Sequence, residues 1–116
     1  MNSSILLPFR GEPTRAFAEL SKNPIEMQRV ARTITEAVNA SFFTDAAREG
    51  HCNPKITGSE MKRRMAIAIE IFGQLRNDCG YSVARALDVM PDGLRAALDG
   101  VAWEPASVDR MWAANG

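Results

Sequence analysis

The amino-acid sequence predicts an all-α protein, a compact bundle of five or six helices forming one domain over residues 1–116. Apolar residues recur at spacings of three and four along most of the chain, and capping residues precede these periodic stretches. No stretch alternates apolar and polar residues for long enough to indicate a strand. At 116 residues, the chain is long enough to bury a core without disulfides or bound metal.

The first 13 residues predict an irregular N-terminal arm. Three helix-breaking residues (Pro8, Gly11 and Pro13) interrupt this stretch, and four apolar residues lie between positions 5 and 9. Because these are too apolar for a free tail, we expect the arm to dock on the core or on a partner. A short helix is expected to start after Thr14, which can serve as its N-cap.

The clearest predicted helix covers residues 22–50. Asn23 can cap it, Pro24 occupies the first helical position, and Glu26 completes a capping-box arrangement, while Gly50 ends the helix. Its apolar positions form one stripe with helical spacing: Met27, Val30, Ile34, Ala37, Val38 and Phe42.

A second long helix is predicted from about Thr57 to Asn77, with Thr57 and Glu60 as its capping box. Its apolar residues cover roughly 200° of the helical wheel, whereas a one-sided surface helix needs a stripe of only about 100°. This helix is therefore either the centre of the domain or faces a second chain. We expect a homodimer whose interface includes four residues of this helix: Met61, Met65, Ile69 and Phe72.

Three shorter helices are predicted in the remainder of the chain. Two of them lie within "VARALDVMPDGLRAALDG" at 83–100, and the third is a C-terminal helix with Pro105 as its first residue. This segment resembles a helix-turn-helix unit of the Cro and repressor type. Ala84 is the small residue of the first helix, Asp88 stands where the turn usually has glycine, and Val89 is the buried turn residue. The resemblance implies a corner between two helices, with Leu94 on the inward face of the second helix, which would read DNA.

The charge of this segment argues against DNA binding. Residues 80–116 contain three basic and five acidic residues, and the whole chain is neutral, with 14 residues of each sign. Affinity for nucleic acid depends mostly on cations that neutralise phosphates, and this chain has none in surplus. Sequence-specific DNA binding through Arg85 and Arg95 is therefore the alternative interpretation rather than the main one.

The sequence does not predict an enzyme, a cofactor or a metal site. His51 and Cys52 are neighbours in a loop, where their side chains rarely align for nucleophilic catalysis. Together with Cys79 they match no zinc-binding spacing. Two cysteines without a disulfide framework, and no membrane span or signal peptide, lead us to expect a cytoplasmic protein.

The positive signal is a surplus of apolar residues over the needs of one small core. Phe42 and Phe43 point about 100° apart on a helix, and Trp103, Met111 and Trp112 cluster near the C-terminus. Because aromatic and methionine side chains are enriched at interfaces, these five residues are the predicted partner-binding residues. In size and character the chain resembles small bacterial antiactivators of the QslA type, and also phage-encoded inhibitors such as anti-CRISPRs. This resemblance implies a regulator that blocks DNA binding or dimerisation of a transcription factor.

Overall fold

The computed structural model describes residues 22–105, and this part of the chain contains three α-helices and no strand. They are α1 (Pro24–Arg48), α2 (Gly58–Asn77) and α3 (Val83–Leu98). The all-α class is confirmed, but the predicted number of five or six helices is wrong. The N-terminal arm, the short helix after Thr14 and the predicted C-terminal helix lie outside the described residues, apart from the helical Pro105.

The N-terminal caps of α1 and α2 follow their sequence signals. The side-chain oxygen of Asn23 accepts a hydrogen bond from the backbone N–H of Glu26 at 3.2 Å, and Pro24 begins α1. The hydroxyl of Thr57 accepts from the backbone N–H of Glu60, also at 3.2 Å. Each cap satisfies one of the N–H groups that a helix start leaves without a partner.

Residues 83–98 form one continuous helix, so the predicted helix-turn-helix corner is wrong. Ser82 caps α3, and the helix continues through Asp88 to Leu98 with Pro91 inside it. No non-glycine residue within 22–105 has a positive φ, so Asp88 does not adopt the left-handed conformation of such a turn. The cost of proline inside a helix, about 3 kcal/mol, is offset here by burial of one complete face of α3.

That buried face joins a single core shared by the three helices. Packing is most extensive between α2 and α3, and both also contact α1. The fully buried large side chains come from all three helices: Val30, Ile34, Val38, Ile71, Phe72, Leu75, Val89, Met90 and Leu94. Most of the apolar face of α2 thus packs inside this chain, as expected for a central helix.

After α3 the chain reverses and brings Trp103 back against that helix. A Cβ atom placed on Gly93 would lie 2.7 Å from Cζ3 of Trp103 and 2.9 Å from Cγ2 of Ile71. Real Cβ atoms essentially never approach other atoms this closely. Glycine at position 93 therefore allows the indole ring and α2 to contact the backbone of α3 directly.

Candidate protein-binding surface

A network of charged side chains ties the C-terminal half of α1 to the first turns of α2. Arg64 is its centre, with only 11% of its side chain exposed. Its guanidinium donates to Glu60 at 2.9 Å, to the hydroxyl of Ser41 at 3.0 Å and to Asp45 at 2.7 Å. The same group lies over the ring of Phe42, 4.2 Å from its centroid. All three nitrogen atoms of this guanidinium thus donate hydrogen bonds within the fold, and the group also stacks on Phe42.

A second arginine extends the network to the C-terminal end of α3. Arg95 lies 3.0 Å from Asp45 and 2.8 Å from Asp99, and Asp99 also accepts from Arg48 of α1 at 3.0 Å. The hydrogen bonds from Arg95 and then Arg48 lower the pKa of Asp99. Arg95 is therefore committed to two carboxylates and does not present a free guanidinium to base edges.

The carboxylates of this network are held in their ionised form. Hydrogen bonds from Arg63 and Arg64 lower the pKa of Glu60 from 4.5 to about 2. Burial raises the pKa of Asp45, but the hydrogen bond from Arg64 and the charge of Arg95 outweigh it, so the net shift is downward. A carboxylate whose pKa is lowered in this way is a weak base at neutral pH, and in this network it serves as an ion-pair partner.

The predicted partner-binding residues separate into buried and exposed ones. Phe42 is 4% exposed and belongs to the core, while its neighbour Phe43 is 55% exposed. Trp103 is half-buried against the core. Met111 and Trp112 lie outside the described residues. Of the five residues, Phe43 is thus the one that the described structure presents to solvent.

The predicted dimer residues on α2 are largely occupied within the chain. Phe72 has no exposed surface, so it has none to offer a second copy. Met61, Met65 and Ile69 are partly buried and pack against the same core. Because these three residues retain some accessible surface, a homodimer interface that includes them remains a prediction.

The remaining residues considered from the sequence lie apart from one another. Arg85, the other arginine of the DNA-binding alternative, is half-buried beside the ring of Tyr81, 5.8 Å from its centroid. Cys52 is exposed next to His51 in the loop after α1, and Cys79 is half-buried after α2. Within residues 22–105, no three His, Cys, Asp or Glu side chains are grouped as metal ligands would be. None of the helices in that range has both the length and the apolar character needed to cross a bilayer.

A surface that sequence reasoning missed runs along α1 on the side opposite the core. Ile25 and Phe43 are 18 residues apart, which is five turns of an α-helix, so both lie on one line about 27 Å long. Ile25 is 82% exposed. Six residues form this outer line of α1: Ile25, Arg29, Arg32, Glu36, Asn39 and Phe43. The signal was present in the sequence, because these positions repeat at spacings of four and three out of phase with the core stripe.

No protein-family model, curated protein or solved structure matches this chain. The surface has two features that matter for binding: exposed apolar groups at both ends and charged groups between them. Ile25 and Phe43 supply apolar area, while Arg29, Arg32 and Glu36 are all exposed. An arrangement of this kind suits contact with another protein surface.

Proposed function

We propose that this chain is a non-enzymatic regulator that acts by binding another protein, with the outer line of α1 as part of its binding surface. One observation carries this proposal. Phe43 lies on α1 of a well-packed domain, yet it is 55% exposed, whereas the next residue before it in the sequence, Phe42, is buried in the core. Burying an aromatic side chain of this kind against a partner is among the largest single contributions available to an interface.

The regulator that fits this surface is an antiactivator, which covers a transcription factor and prevents its DNA binding or dimerisation. Arg29 and Arg32 accompany the exposed apolar residues on α1. They suit a partner with an acidic rim around an apolar pocket, because complementary charges select the partner and speed its association. The neutral net charge of the chain also suits a partner that is a protein rather than nucleic acid.

The test is capture of a transcription factor from a bacterial lysate by the tagged full-length chain and by two variants. Phe43→Ala removes the exposed ring, and Val101→Ala removes an apolar side chain of similar exposure (60%) outside α1. We expect the wild type and Val101→Ala to retain the same transcription factor and Phe43→Ala to lose it. The purified chain should then release that factor from its operator in a gel-shift assay.

The outcomes of this test are distinct. A factor retained equally by all three proteins would show that Phe43 does not bind it, and a captured factor that stays on its operator would exclude antiactivation. The DNA-binding alternative is tested with the same assay, using the chain alone on genomic fragments at low salt. Saturable binding that weakens steeply as salt rises would favour that alternative over a protein-binding regulator.

A further inference from the structure

We propose that two copies of this chain pair antiparallel through the outer line of α1. The occupant of this surface is thus a second copy of the chain, and this interface on α1 is an alternative to the one predicted on α2. The pairing itself stands independently of the proposed function. Only its effect on partner binding, described below, rests on that function.

The outer line follows one face of α1 over most of its length. Its six residues are separated by four, three, four, three and four positions, so they stay on one side of the helix, with apolar residues at the two ends and polar or charged residues between them. The line lies opposite the core, where Val30, Ile34 and Val38 point inward. A second helix can therefore approach α1 without displacing the core contacts that the structure describes within residues 22–105.

The line is also self-complementary when it is reversed. In an antiparallel pair whose two-fold axis crosses the outer line midway between positions 32 and 36, position n of one copy faces position 68 − n of the other. Ile25 then faces Phe43 of the second copy, and Arg32 faces Glu36 of the second copy. By symmetry each of these contacts occurs twice, as in any isologous interface.

The remaining positions agree with the same register. Arg29 faces Asn39 of the second copy, whose side-chain oxygen can accept a hydrogen bond from the guanidinium. No position in this register sets two like charges directly opposite each other.

Arg32 and Glu36, whose charges are needed for the pairing, form no ion pair with another described residue of the same chain. Arg32 and Glu36 are four residues apart on α1, yet no ion pair within 4.0 Å joins them or links either to another residue described by the structure. By contrast, Arg95 and Asp99 have the same spacing and order on α3 and lie 2.8 Å apart. Arg32 and Glu36 can thus form ion pairs with a second copy without breaking an ion pair among the residues that the structure describes.

The contact is small, so the pairing is reversible. Two apolar contacts and two ion pairs along about 27 Å of helix place it at the lower end of specific interfaces. We therefore expect dissociation constants on the order of micromolar. If Phe43 also binds a regulatory target, the dimer covers the same ring, and the target and the second copy compete for it.

Charge exchange at the central pair tests the proposal by sedimentation equilibrium over a concentration series. Arg32→Glu leaves glutamate at both central positions, 32 and 36, and Glu36→Arg leaves arginine at both, so each variant repels its own copy in the proposed register. We expect each to raise the dissociation constant at least about 10-fold and to sediment near 12.7 kDa, the mass of one chain. Asp88→Arg makes the same charge change as Glu36→Arg at an exposed position on α3, and it should dimerise like the wild type.

Two restorations make the test specific for the antiparallel register. Mixing Arg32→Glu with Glu36→Arg should give a heterodimer of twice the monomer mass, because opposite charges face each other again. The double variant Arg32→Glu/Glu36→Arg should self-associate within about 3-fold of the wild type. Circular dichroism checks that all variants fold, as expected for exposed positions.

The proposal is overturned if the wild type stays at the monomer mass at several hundred micromolar. It is equally overturned if the single variants dimerise normally or if neither restoration recovers the dimer. Any of these results leaves the regulatory function intact, since capture of a transcription factor through Phe43 does not require dimerisation. Conversely, a confirmed dimer that captures no transcription factor would remove the regulatory function and keep the pairing.

Discussion

Replacing Arg64 with methionine should destabilise the fold far more than the same replacement at its neighbour Arg63. Both arginines bind Glu60, Arg63 at 2.8 Å and Arg64 at 2.9 Å. The side chain of Arg63 is 57% exposed and that of Arg64 only 11%. Methionine keeps an unbranched apolar stem, so each variant removes the charge while filling much of the same space. The pair thus isolates the effect of burial on one kind of ion pair.

The expected magnitude follows from the bonds that are lost. Arg64→Met removes three hydrogen bonds and the stacking of a cation on Phe42. Breaking a fully buried ion pair costs about 3–5 kcal/mol, but here no carboxylate is left without a cation, because Glu60 keeps Arg63 and Asp45 keeps Arg95. We therefore expect a loss of about 2–3 kcal/mol in the free energy of unfolding. Arg63→Met should cost less than about 1 kcal/mol, as an exposed pair does.

Urea unfolding at neutral pH, followed by far-ultraviolet circular dichroism, measures both losses. For a domain of this size the expected difference corresponds to a shift of about 1 M or more in the urea midpoint. Equal midpoints for Arg64→Met and Arg63→Met would refute the reasoning. They would mean that the network around Arg64 is solvated and does not hold the three helices together.

Three further predictions concern single groups. Ion pairs hold the pKa of Glu60 at about 2 in the folded chain, against 4.5 when unfolded, so the stabilisation from Glu60 is complete above pH 4.5 and is lost as the pH falls towards 2. Urea midpoints should fall over this pH range in the wild type and fall less steeply in Glu60→Gln. Thr57→Ala removes the cap of α2 and should cost about 1 kcal/mol, whereas Ser59→Ala inside the first turn should cost much less, by the same unfolding assay; equal costs would deny the cap its role. Gly93→Ala should destabilise by about 1 kcal/mol, because overpacking against Trp103 exceeds the gain in helix propensity, and calorimetry showing a more stable variant would contradict the close contact.

The elements predicted correctly are those whose signals are local. Asn23 and Thr57 cap their helices as their positions indicate, since a cap depends only on residues within one turn. The separation of Phe42 from Phe43 was also predictable, because consecutive residues on a helix cannot share one face. Within residues 22–105, the two long helices predicted from periodicity and caps are confirmed.

The predictions that depended on packing between helices were less successful. Asp88 and Pro91 are ordinary signals for a turn, yet burial of Val89, Met90 and Leu94 on the shared core keeps α3 continuous. Tertiary packing is worth more than these local preferences, and a single sequence does not show which neighbours a helix will find. The outer line of α1 is a weak signal in the sequence, because only Ile25 and Phe43 of its six residues are apolar and the others resemble an ordinary solvated helix face.

The close contact between Gly93 and Trp103 links two positions that lie ten residues apart. Since the indole ring occupies the volume that a side chain at position 93 would need, the residue tolerated at one position depends on the residue present at the other. In evolutionary terms the pair is epistatic: a larger residue at 93 becomes acceptable only after the ring at 103 has been replaced by something smaller. Related chains should therefore keep glycine at position 93 together with a large aromatic residue at position 103, or replace both. Such a paired replacement would identify chains that share the turn after α3 even where their surface residues differ.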